Sequence, residues 1–238
     1  MTGPIRLVAL SAGLSTPSST RMLADQLSRE AASALGRDGA EVDVRTVELR
    51  EYAHDITDAM LTRFPGERLS MVIESVRAAD AVIAVTPVFN VGPSGLFKSF
   101  FDAIDINIWK AKPVLLGATA GTSRHSLAID YAIRPMFGYL KAEVVPTVVF
   151  AASADFGADA DAHGDEQPLA ARVRRASAEL ATMLRSGIEE AAGEAASDPA
   201  GATGAASATS GAADETQGPA LDAEFSDFVP MDKLLGGR

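Results

Sequence analysis

Five short apolar runs punctuate the chain: "IRLVAL" (5–10), "VDVRTVEL" (42–49), "AVIAVT" (81–86), "PVLLGAT" (113–119) and "VVPTVVFAA" (144–152). Runs of this kind read as strands covered on both faces, and the stretches between them carry helical pattern. Strands that alternate with helices pair in parallel, because a parallel connection needs a crossover long enough to hold a helix. The expected fold is therefore a doubly wound α/β domain, a five-stranded parallel sheet with helices on both faces. The helices are expected over 19–35, 67–79, 93–106, 124–141 and 166–187. In the first, Leu23, Leu27, Ala31 and Leu35 recur at helical spacing and form a stripe toward the sheet. Ser18 or Ser19 is its expected N-cap.

The 238 residues suffice for one such domain and a tail. Apolar residues make up 47% of the chain, yet no stretch approaches the roughly 20 apolar residues that cross a membrane. The start, "MTGPIRLVAL", lacks the basic region and cleavage site of a signal peptide, so cytoplasmic residence is the expectation. There is no cysteine, which removes disulfides, thiolate nucleophiles, iron–sulfur clusters and cysteine–zinc sites together. Redox chemistry on this chain needs a borrowed cofactor.

The net charge is −11, but it is unevenly spread. Residues 1–150 hold 16 acids and 15 bases (net −1), and residues 151–238 hold 16 acids and 6 bases (net −10). A nearly neutral body and an acidic C-terminal part argue against a nucleic-acid surface. After Gly187 the composition changes, and residues 191–220 contain no Val, Leu, Ile, Met or aromatic residue. The expected organisation is a body over 1–187, a disordered Ala/Gly/Ser linker over 188–220 and a short apolar segment over 221–238. That last segment, with Phe225, Phe228, Val229, Met231, Leu234 and Leu235, reads either as a loosely attached end or as a docking element for this body, a second copy or a partner.

In a doubly wound sheet the ligand sits at the carboxyl ends of the strands, and three segments leave strand ends with unusual composition. "SAGLSTPSST" (11–20) places Gly13 and the hydroxyls of Ser11, Ser15, Thr16, Ser18, Ser19 and Thr20 beside a helix N-terminus, a seat for an anion. It contains no basic residue before Arg21, and it is neither a P-loop nor a Gly-x-Gly-x-x-Gly turn. Taken alone, it is also what a polar loop with a good N-cap looks like. "TPVFNVGPSGLFKSFFDAID" (86–105) places Phe89 at the mouth of the strand ends, able to lie on a planar ligand or to pack inward. Lys98 and Asp102, four apart, read as a surface pair. "GATAGTSRHSLAIDYAIRP" (117–135) is a second small-residue loop entering a helix, with backbone amides for the polar edge of a heterocycle and Arg124 or His125 near a phosphate. His125 reads as a surface or capping residue rather than a catalyst, and "DAHGDEQ" (161–167) as a loop rather than a metal site.

Together these stretches resemble the NADPH-dependent FMN reductases of the flavodoxin-like superfamily. The likeness is strongest to the reductase of the alkanesulfonate monooxygenase system and to the subgroup found beside luciferase-like monooxygenases. It is carried by "SAGLSTPSSTR", by T-P-V-aromatic-x(4)-S-G-x(2)-K over residues 86–98, and by "ATAGTSRHSLAIDYAIRPMFGYLKA", and it spans about residues 5–152. The resemblance implies a flavodoxin-like strand order 2-1-3-4-5 and an NAD(P)H:FMN oxidoreductase that supplies reduced flavin to a monooxygenase. It implies the FMN phosphate on Ser11, Ser18, Ser19 and Thr20, with Gly13 in the turn. Pro87, Val88, Phe89 and Asn90 would line the ribityl chain and flavin, and Thr119, Ala120, Gly121 and Thr122 the ring edge. Tyr131 matches a tyrosine placed in a distorted helix at a tetramer interface, so a homodimer or homotetramer is expected. Pro135, one turn on, independently predicts a distortion there. Leu14 stands where the family often carries an arginine, which implies a looser hold on the phosphate. No catalytic side chain and no metal are expected, since hydride passes between the cofactors FMN and NADPH or NADH. The rivals are a quinone or azo reductase with FMN permanently bound and a flavodoxin-type electron carrier. A receiver domain fits poorly, because the first strand ends in "LSAG" without paired acids.

Overall fold

The computed structural model describes residues 3–37, 39–156 and 168–197. Its strands are β1 (Ile5–Ser11), β2 (Val42–Glu48), β3 (Ala81–Phe89), β4 (Gly92–Pro93), β5 (Pro113–Ala120), β6 (Glu143–Val144) and β7 (Val149–Ala152). The helices are α1 (Ser19–Gly36), α2 (Ala53–Thr62), α3 (Glu67–Ala78), α4 (Gly95–Ala103), α5 (Arg134–Tyr139) and α6 (Leu169–Ser197). The sheet order is β2-β1-β3-β5-β6, with β7 also on β5 and every pairing parallel except the two-residue β4 on β3. This is the doubly wound arrangement expected from the alternation of runs.

There are seven strands rather than five, for two local reasons. The fifth expected strand, 144–152, is interrupted at Pro146, which has no N–H to give to a ladder. β6 and β7 are therefore separate pieces on the same edge of β5. Between them the Thr147 N–H and hydroxyl donate to Glu179 of α6 at 2.7 and 2.8 Å. Partial burial pushes the Glu179 carboxyl upward, but those two bonds and Arg175 outweigh it and hold the carboxyl below its usual range. The other addition, β4, closes a two-residue turn after β3.

Each face of the sheet has its own core. α1 and α6 cover one, where Leu23, Leu27, Ala31 and Leu35 of α1 meet Leu169, Val173, Ala176 and Leu180 of α6 around Leu7, Ile83 and Leu115. Each fully buried leucine in such a layer stabilises by roughly 1.5–3 kcal/mol. Arg185 of α6 also donates to the Ala34 carbonyl at 2.8 Å. On the other face α2 to α5 enclose an aromatic cluster, in which Phe101 lies 4.7 Å from Trp109 and 4.9 Å from Phe137. Lys112 crosses to cap α3, its ammonium donating to the Arg77 and Ala79 carbonyls at 3.0 and 2.5 Å. Burial lowers its pKa, an effect that Asp80 partly opposes.

Three helical expectations change. α2 was not expected, because only Ile56 and Ala59 of its ten residues are buried and the apolar stripe is short. The continuous helix expected over 124–141 is broken into a one-turn 3-10 segment (Ser123–His125), a π-helical segment (Ile129–Ile133) and α5. In the π segment the Arg134 N–H donates to Ile129 O, five residues back. Pro135 follows immediately and cannot donate to the preceding turn, so the distortion falls where that proline predicts it. Finally, α6 runs to Ser197, past the body boundary expected at Gly187. The sequence there, "IEEAAGEAAS", is rich in Ala and Glu, which favour helix without any need to bury a side chain. The rest of the expected linker and the segment 221–238 lie outside the described residues, as does "DAHGDEQ" (161–167). No helix among the described residues is long and apolar enough to cross a membrane.

Candidate functional site

β1, β3 and β5 are neighbours, so the three loops singled out in the sequence leave the sheet side by side. In register, Ser11 lies opposite Val85, and Pro87 opposite Thr119. The Ala12 N–H then donates to Val85 O at 2.9 Å, which starts the first turn against the end of β3. Polar side chains buried at these strand ends need partners, and most find them in each other. Thr20 and Thr119, both 2% exposed, share a hydrogen bond of 2.8 Å between hydroxyls 99 residues apart in sequence. Thr86 Oγ1 accepts from the Ser94 N–H at 3.0 Å and donates to Pro87 O at 3.0 Å. Ser94 Oγ accepts from the Phe97 N–H at 3.2 Å, capping α4.

Within the first turn, Ser11, Gly13, Ser18 and Thr20 are buried and Ser19 is exposed. Ser18 is the N-cap of α1, accepting from the Arg21 N–H at 3.2 Å. Gly13 has a purpose beyond bending the chain. A Cβ there would stand 2.0 Å from Ser18 Oγ, so the cap hydroxyl occupies the space a side chain would take. The exposed stretch Leu14–Pro17 forms the outer lip of the turn.

Pro87 and Val88 end β3 buried, while Phe89 is 47% exposed rather than packed inward. Asn90 (φ 50°) and Val91 (φ 64°) follow as a two-residue turn with both φ values positive, between the pairs Phe89–Gly92 and Val88–Pro93. Asparagine accepts that conformation readily, but a β-branched valine there is strained. On β5 Thr119 is buried, Ala120 is half-buried, and Gly121 and Thr122 are exposed. Thr122 Oγ1 accepts from the Arg124 N–H at 3.2 Å and caps the 3-10 segment that carries His125. The structure therefore brings every expected contact residue to one end of the sheet. Lys98 and Asp102 form the expected surface pair at 2.6 Å.

Charge at the first turn comes from a place the sequence reading passed over. Glu48, at the end of β2, lies opposite Ser11 and pairs with two arginines. Arg21 Nη1 meets its Oε1 at 2.7 Å, and Arg50 Nε meets its Oε2 at 2.8 Å. Arg50 then reaches over the turn, where Nη1 donates to Thr16 Oγ1 and to Ser15 O. Arg21 also binds Asp25 at 2.9 Å, and that bond with Glu48 raises its pKa despite partial burial. The signal for Arg50 lay in the strand order, because placing β2 beside β1 sets the residues after β2 against the turn after β1.

The strand order, the capped turn after the first strand and the aromatic-rimmed strand ends together define a flavodoxin-like α/β protein. Comparison narrows this. The chain belongs to the NADPH-dependent FMN reductase family, which it matches over residues 5–157. It is 35% identical over 190 residues to an FMN reductase (NADPH) of Pseudomonas aeruginosa, covering 80% of this chain and 97% of that one. To the NADH-dependent FMN reductase SfnE of Pseudomonas putida it is 36% identical over 184 residues, covering 77% and 94%. An oxidoreductase structure from Corynebacterium diphtheriae superposes with a TM-score of 0.71 at 42% identity, covering 77% of this chain and 98% of that one.

Proposed function

We propose that this chain reduces FMN with NADPH or NADH and passes the reduced flavin to a flavin-dependent monooxygenase. The observation that carries the reading is the convergence of the first turn, the Phe89 mouth and the end of β5 on neighbouring strands, in a chain of this family. The residues present suit FMN. The Gly13–Ser18 contact leaves no room for a side chain inside the turn, and a helix N-terminus with its hydroxyls favours a phosphate there.

Bound flavin supplies the electron-accepting chemistry; the overall reaction takes NAD(P)H, FMN and a proton to NAD(P)+ and reduced FMN. The chain contributes position and polarity. Ser11, Ser19 and the amides that open α1 hold the phosphate, while Ser18 and Thr20 keep the turn in shape. Phe89, exposed at the mouth, would lie against the flat ring of the flavin. The amides of residues 119–122, at the end of β5, would meet the ring edge and stabilise charge that develops on it. Tyr131, Tyr139 and Leu127, 79%, 77% and 63% exposed around the π segment, support association of this face with a second copy.

The test is oxidation of NADPH and NADH by the flavin-stripped full chain with FMN, FAD and riboflavin supplied in turn. Turnover with FMN and a colourless protein after dialysis are expected. No oxidation with any flavin would reject the reductase, and a yellow protein that keeps its FMN would replace flavin release with a tightly bound cofactor.

A further inference from the structure

The first turn reads in the sequence as an anion seat without a cation, and Leu14, 56% exposed on its lip, supplies none. Arg21 begins the following helix, but its guanidinium is engaged by Asp25 and Glu48. Arg50 is different. It is brought to the turn from just past the end of β2, and its Nη1 already donates to Thr16 and Ser15, two residues of the outer lip. Among the described residues its Nη2 has no partner, so donors remain at the edge of the seat. Glu48 meets the guanidinium at Nε, an ion pair of 2.8 Å without hydrogen-bond geometry, while Nη1 lies on the lip of the turn. A planar fork presented this way matches phosphate oxygens.

We propose that Arg50 is the cation of the phosphate seat and that Glu48 is the residue that positions it. The inference rests on the FMN reading above. The charge balance also bears on release. Arg21 and Arg50 are matched by Asp25 and Glu48, so the cluster is neutral as a whole. The phosphate gains a directed donor without a strong net positive field, an arrangement suited to a flavin that must leave. Arg50 thus discriminates by the phosphate, favouring FMN over riboflavin, which has the same ring and side chain without it.

The test is titration of the full chain with FMN and with riboflavin, followed by flavin fluorescence, in the wild type, Arg50→Gln and Arg50→Lys. The wild type is expected to prefer FMN. Arg50→Gln should weaken FMN by about tenfold or more, on the scale of a lost charge-assisted hydrogen bond, and riboflavin by less than about twofold on the same scale. Arg50→Lys should keep part of the preference. Equal loss for both flavins would show that Arg50 only props the turn, and unchanged affinity for both would show that it does neither; each result overturns the proposal while leaving the reductase reading intact. A wild type that binds riboflavin as tightly as FMN overturns it as well. A wild type that binds neither flavin rejects the reading beneath it.

Discussion

At the turn after β1 the polar groups are tied down. Ser18 caps α1, Gly13 is pressed against that cap, Thr20 is bonded to Thr119, and Thr16 and Ser15 accept from Arg50. At the mouth formed by the β3–β4 turn and the end of β5, Phe89, Asn90, Val91, Gly121 and Thr122 are exposed, and the turn carries a valine at positive φ. One end of the site is braced by α1, by Thr119 of β5 and by Arg50, and the other projects with few ties. The contrast suits a ligand located by its phosphate tail, whose ring must meet a second cofactor and then depart. Rigidity at the tail supplies orientation, while openness at the ring allows exchange.

The largest expected effect comes from cutting the brace between the two ends. Thr119→Val keeps the side-chain shape but leaves the buried Thr20 hydroxyl without its partner, at a cost of about 1–3 kcal/mol. For a body of this size that is a fall in Tm of roughly 2–4 °C per kcal/mol, readable by thermal denaturation. An unchanged Tm would show that the braced end does not depend on this bond. Next is Gly13→Ala, whose methyl displaces the Ser18 hydroxyl from its cap. It should cost about 1 kcal/mol and weaken FMN in a fluorescence titration, with the Tm and affinity losses appearing together. Val91→Gly tests the open end with the opposite sign. Relief of a strained residue should raise stability by up to about 1 kcal/mol. FMN affinity should stay nearly constant, because the change lies at the ring end; loss of FMN binding comparable to that of Gly13→Ala would erase the distinction between the two ends.

Much of this was legible in the residues. The five apolar runs, the α1 stripe and a cap at Ser18 or Ser19 follow from periodicity and local hydrogen bonding, which act over a few neighbours; the structure chose Ser18. The break ahead of Pro135 was also readable, from a missing N–H, whereas the residues alone left Phe89 open between lying on a ligand and packing inward. The interruption at Pro146 was missed, since 144–152 read as one strand, although the proline in "VVPTVVF" lacks an N–H in the same way. The Thr20–Thr119 bond was not, since nothing in either segment specifies a partner 99 residues away. α2 escaped notice because its buried stripe is only two residues deep.

The sequence by itself determined the layered α/β class, the three strand-end loops and the family, because backbone propensity, burial pattern and short motifs are local properties. Only the tertiary structure decided what the first turn is made of. Strand order set Glu48 beside Ser11, and that adjacency carried Arg50 over a turn whose own ten residues hold no positive charge. Charge acts through space rather than along the chain, so the cation of an anion seat need not be written next to it.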